Sequence, residues 1–210
     1  MKNRLIAVLT VVLLLCSSFS LFAATPIVFE DVKYGDWYYD AVQYVSTNSV
    51  MVGISDSRFD PDGAMTRAMV VTVLARLAGA KTDVLVRSSF EDVSFDSWYG
   101  LSVEWAKQNG IVKGVSETQF KPLLPVTREQ VCLMLSNYFD FLGLSTSNAQ
   151  KEAFADEQQI SPWALDAVIR LQRAGIVNGM ENNNFVPRGG CTRAAFAQIV
   201  YNSNLASITK

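Results

Sequence analysis

The sequence predicts an all-α, mainly helical protein built from three helix-loop-helix repeats. Three observations predict it. One ordered set of residues recurs three times at fixed spacing, two stripes of helical period fall inside each copy, and turn-forming residues lie between the stripes. The first copy reads Phe-Glu-Asp-Val at 29–32, then Trp37, Gly53, Phe59, Pro61 and Thr66-Arg67. The second reads Phe-Glu-Asp-Val at 90–93, then Trp98, Gly114, Phe120, Pro122 and Thr127-Arg128. The third reads Phe-Ala-Asp-Glu at 154–157, then Trp163, Gly179, Phe185, Pro187 and Thr192-Arg193. From Trp to Thr the distance is 29 residues in each copy.

The first helix of each unit follows the Trp. Tyr38, Ala41, Val42 and Val45 fall at i, i+3, i+4 and i+7. Tyr99, Ser102, Val103 and Ala106 match them, as do Ala164, Ala167, Val168 and Leu171. That spacing makes one apolar stripe. Asp96 stands two residues before Trp98, and Ser161-Pro162 reads as an N-cap followed by proline in the first turn. Gly110, Gly175 and, in the first copy, Ser49 are the stop signals.

The second helix of each unit follows Thr-Arg. Its stripe is Val70, Val73, Leu74 and Leu77 in the first copy, and Val131, Met134, Leu135 and Tyr138 in the second. In the third, Phe196, Ile199 and Val200 carry it until Ser203, where it is expected to break. The Thr is the expected N-cap, because its hydroxyl accepts from an otherwise unpaired N–H at the helix start. Gln130 completes a capping box with Thr127, whereas Met69 and Ala195 cannot. Between the helices lie the polar loops 53–59, 114–120 and 179–185. A unit of about 55 residues is small for a core of its own, so the three are expected to pack together and unfold as one.

The chain opens with Lys2 and Arg4, an apolar run from Leu5 to Leu15 and the small pair Ala23-Ala24. This is the layout of a secretory signal peptide over 1–24, and the run is short for a membrane span. The expected units are then 27–80, 88–142 and 152–205. The formal charge is −2, and losing the leader leaves 16 basic residues against 20 acidic. With no basic cluster, the chain has no electrostatic footprint for nucleic acid or an anionic membrane.

Catalysis finds little support. The chain has no histidine, which removes the commonest general base and metal ligand. Past the leader only Cys132 and Cys191 remain, too few for a disulfide framework although one bridge is open to them. Cys132 reads as a small core hydrophobe. Acids are abundant enough for a two-carboxylate hydrolase, but only the Asp near the start of each unit recurs in all three copies. The reading is a non-enzyme with no cofactor and no metal.

Taken together, the ordered residues resemble the S-layer homology domain, whose pattern runs roughly F-x-D-V, W-Y-x-x-A-V, G-I-x-x-G, F-x-P and then T-R-A-E opening a helix. The match spans about 27–205, and three tandem copies is the family's usual arrangement. The resemblance implies a pseudo-threefold, three-pronged assembly of the repeats. It also implies non-covalent binding of a wall carbohydrate: a secondary cell wall polymer carrying pyruvylated sugars, or peptidoglycan. The expected location is the cell surface or cell wall, or the periplasmic face of the envelope in a two-membrane bacterium. Departures stand at Met69, Gln130 and Ala195, where the family has Glu, at Ser49 for the first Gly of its loop, and at Ala164 for Tyr. Family members normally carry a further functional region, whereas these 210 residues hold a leader and repeats.

Candidate ligand residues follow from triple recurrence. Arg67, Arg128 and Arg193 sit in the first turn of a helix, where unpaired N–H groups and a guanidinium fork suit a carboxylate such as a pyruvyl ketal. The alternative is a solvated or intramolecular salt-bridging residue, but a cation is not what a helix start prefers, so the triple recurrence asks for a reason. Thr66, Thr127 and Thr192 accompany them. Trp37, Trp98 and Trp163 offer flat faces to sugar rings, or core packing at the start of the first helix. Asp31, Asp92 and Asp156 have two roles open, sugar hydroxyls or bracing of the repeat. Gly53, Gly114 and Gly179 admit either close approach of a ligand or a turn of positive φ. The rival to glycan binding is an adaptor that docks a partner protein, or self-association into a surface coat, with Met51, Val52 and Ile54 as apolar contacts.

Overall fold

A computed structural model describes residues 27–82, 87–146, 149–205 and 208–209. The expected signal peptide lies outside them. Among the described residues there are six α-helices, two for each repeat. They are α1 (Tyr39–Thr47) and α2 (Arg67–Leu77), α3 (Gly100–Gln108) and α4 (Arg128–Phe141), and α5 (Leu165–Arg173) and α6 (Arg193–Leu205). One short antiparallel ladder, β1 (Ser145–Thr146) with β2 (Ile208–Thr209), is the only sheet described. The chain is all-α, as its two stripes per repeat require.

The helix ends bear out most of the local reading. Thr66 and Thr192 accept from the N–H groups of Met69 and Ala195, and Thr127 with Gln130 makes the full capping box. Ser49, Gly110 and Gly175 all take positive φ, at 56°, 71° and 74°. Each closes a Schellman motif: Val50 donates to Val45 O while Ser49 donates to Ser46 O, with the same pair of bonds at Ile111 and Ile176. One expectation fails. Ser161 does not cap α5, which starts at Leu165 after a turn; its N–H and hydroxyl instead donate to Glu129. Ser203 interrupts the apolar stripe without ending α6: its hydroxyl turns back onto the Ile199 carbonyl and the helix continues to Leu205.

Tertiary packing departs from a simple helix-loop-helix unit. The first helix of each repeat packs on the second helix of another: α3 on α2, α5 on α4, and α1 on α6. The contacts therefore run in a closed cycle, repeat 1 to 2, 2 to 3 and 3 to 1. Their hub is the residue before each Thr. Met65 N–H donates to Cys191 O, Cys191 N–H to Val126 O, and Val126 N–H to Met65 O, a ring of three backbone hydrogen bonds at 2.9, 3.1 and 2.9 Å. One continuous core, from Phe29 to Val200, joins all three repeats. This is how units too small to bury a core alone become stable.

Candidate functional site

Each Thr-Arg pair sits where two repeats meet. The first N–H groups of the second helices, read above as open to an anion, are already taken. Arg67 and Ala68 donate to Leu124 O and Pro122 O, Arg128 and Glu129 to Gly189 O and Pro187 O, and Arg193 and Ala194 to Gly63 O and Pro61 O. The side chains do the same. Arg67 Nε and Nη2 donate to Phe120 O and Lys113 O at 2.8 and 3.0 Å. Arg128 reaches Phe185 O and Asn178 O at 2.7 and 3.2 Å, and Arg193 reaches Phe59 O and Val52 O at 2.7 and 2.6 Å. Each guanidinium also lies over the ring of the same Phe, 4.4 to 5.0 Å from its centroid.

This corrects the open helix start. Nε and Nη2 of each guanidinium hold the next repeat's loop through carbonyls rather than through a salt bridge, which leaves the Nη1 hydrogens and one on Nη2 uncommitted. Burial pulls the Arg67 and Arg193 guanidinium groups below their ordinary value, opposed by Asp92 for Arg67 and by Asp60 and Asp31 for Arg193. The charge of each arginine still faces the loop it holds.

The Asp residues brace. Asp31 accepts from the N–H groups of Phe59 and Asp60, Asp92 from Phe120 and Lys121, and Asp156 from Phe185 and Val186. The second residue of each pair, Asp60, Lys121 or Val186, has φ near +60°. Such a conformation is costly for a side-chain-bearing residue, and the carboxylate holds it in place. Burial pushes the Asp31 carboxyl up, but its bonds from the Phe59 and Asp60 N–H groups outweigh that and hold it below the ordinary value. Both oxygens are committed in all three copies.

The glycines correct a second expectation. None of Gly53, Gly114 and Gly179 has positive φ. They are glycine because a Cβ would overlap the loop itself: Ser55 and Arg58 carbonyls and the Phe29 ring at Gly53, the matching groups at Gly114, and Asn183 at Gly179.

The tryptophans correct a third. Core packing does not hold, for Trp37, Trp98 and Trp163 are 65, 59 and 52% exposed. Trp37 and Trp98 are set edge-on by Tyr38 and Tyr99 at 5.1 Å; Trp163 is followed by Ala164 and has no such neighbour.

Arg, Gly and Trp come together in three grooves, each made from three repeats. Groove 1 takes the Gly53 loop from repeat 1, Trp98 from repeat 2 and Arg193 from repeat 3, with a cavity volume of 210 Å³. Groove 2 takes the Gly114 loop, Trp163 and Arg67, with 740 Å³. Groove 3 takes the Gly179 loop, Trp37 and Arg128, with 620 Å³. The second helix of the loop's own repeat forms the far wall. Of the Thr caps, Thr192 alone reaches a groove lining, in groove 3.

The residue pattern of the S-layer homology domain is found at 28–68, 89–132 and 153–197, more than half of the chain. The chain belongs to the S-layer homology family. Among similar proteins, an amylopullulanase of Thermoanaerobacterium thermosulfurigenes is 31% identical over 82% of this chain and 9% of its own length. The surface-layer 125 kDa protein of Lysinibacillus sphaericus is 28% identical over 80% and 14%, and the S-layer protein sap of Bacillus anthracis 30% identical over 66% and 16%. The chain thus spans under a fifth of each of these relatives. Family membership places it at the bacterial cell surface. No described helix is long and apolar enough to cross a membrane.

Grooves between neighbouring repeats were expected; that each takes its loop, indole and arginine from three different repeats was not. Residue pattern alone also missed the polar residue nine positions after each Arg: Arg76, Asn137 and Asn202. These donate to Val50 O, Ile111 O and Ile176 O and wall the grooves. Their recurrence was a usable signal. The two thiols are buried and free, and burial pushes both up to about 12, so they are packing groups.

Proposed function

We propose that this S-layer homology chain is a non-catalytic module that holds to the cell wall by binding a wall glycan in its grooves. One observation carries the reading: three times over, an exposed indole from one repeat lines the same groove as an arginine from a second and the glycine loop of a third. A sugar ring stacks on the indole face, and the loop's polar groups and the arginine's charge meet its hydroxyls and any carboxylate. Trp37, Trp98 and Trp163 are the contact residues; Arg67, Arg128 and Arg193 hold the loops and charge the groove floors. The favoured ligand is a secondary cell wall polymer bearing pyruvylated sugars, with peptidoglycan as the other wall component to be separated by experiment.

The test is co-sedimentation of the protein with purified cell walls, before and after chemical removal of the secondary polymer. Sedimentation is expected to be lost with the polymer, and to fall at least about tenfold in affinity when Trp98 and Trp163 are both replaced by Ala in a folded protein. Binding that survives stripping assigns the ligand to peptidoglycan. Failure to bind walls at all overturns the reading in favour of a docked partner protein. The exposed Val52 and Ile54, both over half accessible beside groove 1, are the surface such a partner would use, whereas Met51 is buried and unavailable.

A further inference from the structure

The three grooves are built alike but not charged alike. Groove 2 is lined by Arg67 and Lys113, with no carboxylate among the described residues of its lining. Groove 1 is lined by Arg193 and Arg76, again with no carboxylate among the described residues. Groove 3 sets Arg128 against Asp62 and Glu181. The repeat alignment shows these charges to be peculiar to each copy. Lys113 corresponds to Val52 and Asn178, Glu181 to Ser55 and Ser116, and Asp62 to Leu123 and Arg188.

The shared acids do not disturb this ranking. Asp31, Asp92 and Asp156 stand at equivalent positions in all three repeats, each with both oxygens bonded to backbone N–H groups, so they cancel between grooves. Asp60 does not cancel: it adds negative charge near Arg193, where the other copies have Lys121 and Val186. Groove 1 therefore falls between the other two.

We propose that an anionic sugar is taken first by groove 2, second by groove 1, and is turned away from groove 3 by Asp62 and Glu181. The proposal rests on the glycan reading and sharpens it: the chain is a bivalent rather than trivalent binder of carboxylated sugar. Two surface carboxylates in place of one ammonium, at groove distances and near-surface dielectric, set groove 3 behind groove 2 by on the order of thirtyfold. The gap narrows as salt screens it, since the screening length is about 8 Å at physiological ionic strength.

Each groove carries its own reporter. Protein labelled with 5-fluorotryptophan has one fluorine signal per indole: Trp37 for groove 3, Trp98 for groove 1, Trp163 for groove 2, and the buried Trp105 as a silent control. Single Trp→Phe variants serve to assign the signals. The probe is a methyl glycoside carrying a pyruvate ketal, titrated at low salt, with its uncharged methyl ester as the second arm. The expected order is Trp163, then Trp98, with Trp37 needing at least about thirtyfold more of the acid. The ester should flatten the order. Asp62→Asn with Glu181→Gln should bring the Trp37 response in by about tenfold without moving the other two. A wild-type Trp37 signal moving together with Trp163 overturns the charge ranking but leaves the glycan reading intact. A Trp37 response unmoved by the double variant overturns the role of the two acids. No response at any of the three indoles removes the groove reading itself, and this inference with it.

Discussion

Two of the three helix pairs, α2 with α3 and α4 with α5, join helices that follow one another in the chain. The third, α6 with α1, joins the last helix to the first. The same interface is thus made twice with a linker and once without. Arg67 and Arg128 reach carbonyls 53 and 57 residues ahead, while Arg193 reaches back 134. Loop-closure entropy grows only with the logarithm of length, so the longer reach costs only about 1 kcal/mol more. The closing clasp is as well made as a linked one. Arg193 and Arg67 are both buried, with bonds of 2.7 and 2.6 Å and of 2.8 and 3.0 Å, whereas Arg128 is half-buried and its second bond is 3.2 Å. Covalent continuity is therefore not what holds a pair together here; the Arg–carbonyl clasp and the helix packing are.

The strongest way to break this comparison is to remove residues 192–210. Helix α1 then loses its packing partner, and the Phe59 and Val52 carbonyls lose Arg193. The cooperative thermal transition in circular dichroism is expected to vanish. A truncated chain that keeps one sharp transition within about 5 °C of the parent would show that the cycle contributes little.

The clasps can be ranked next. Replacing a buried, hydrogen-bonded arginine leaves two carbonyls without donors and removes the cation over a Phe ring. Arg193→Ala is expected to cost about 3–4 kcal/mol, Arg67→Ala nearly as much, and the half-buried Arg128→Ala about 1–2 kcal/mol, all read from urea denaturation. Arg128→Ala proving as costly as Arg193→Ala would invert the ranking.

A smaller effect separates the clasp from its acceptor loop. The Asp31 carboxyl, held below its ordinary value of 3.8, steadies the Phe59 carbonyl that Arg193 uses. A depressed value in the folded state means that its stabilisation is fully present above the unfolded value. It is lost as pH falls from there through the folded one. Acid unfolding should accordingly steepen below about pH 4 and be shallower in Asp31→Asn. Identical pH profiles for the two proteins would remove Asp31 from the account.

The smallest expected effect is a gain. Ser49 ends α1 in the left-handed region where Gly110 and Gly175 end α3 and α5. Ser49→Gly should stabilise the closing pair by about 1 kcal/mol, because the serine Cβ is disfavoured there. A loss on this substitution would mean that the serine side chain contributes more than its backbone conformation costs.

Much of the local structure could be read directly from residues. Thr66, Thr127 and Thr192 announced the helix starts, and Ser49, Gly110 and Gly175 the stops, because capping is settled within a few residues of chain. Ser161 misled because its N–H and hydroxyl find Glu129 on another repeat. The candidate site was half legible. Triple recurrence picked out Arg, Trp and Gly together, and the structure gathers those three residue types into each groove. It did not say that the three members of one groove come from three different repeats.

By itself the sequence determined the repeat count, the helix pairs within each repeat, the family and the list of recurring side chains. Those follow from spacing and from hydrogen bonds that close over three or four residues. Only the tertiary structure decided what the recurring residues do. The tryptophans are exposed because the stripe that follows them, not the indole, meets the core. The arginines are clasps because the carbonyls of the next repeat's loop arrive within 3.2 Å of them. The helix-start N–H groups are closed to a ligand because a neighbouring proline loop fills them first. Each of these depends on which repeat packs against which, and that order is set by burial summed over the whole chain rather than by any local pattern.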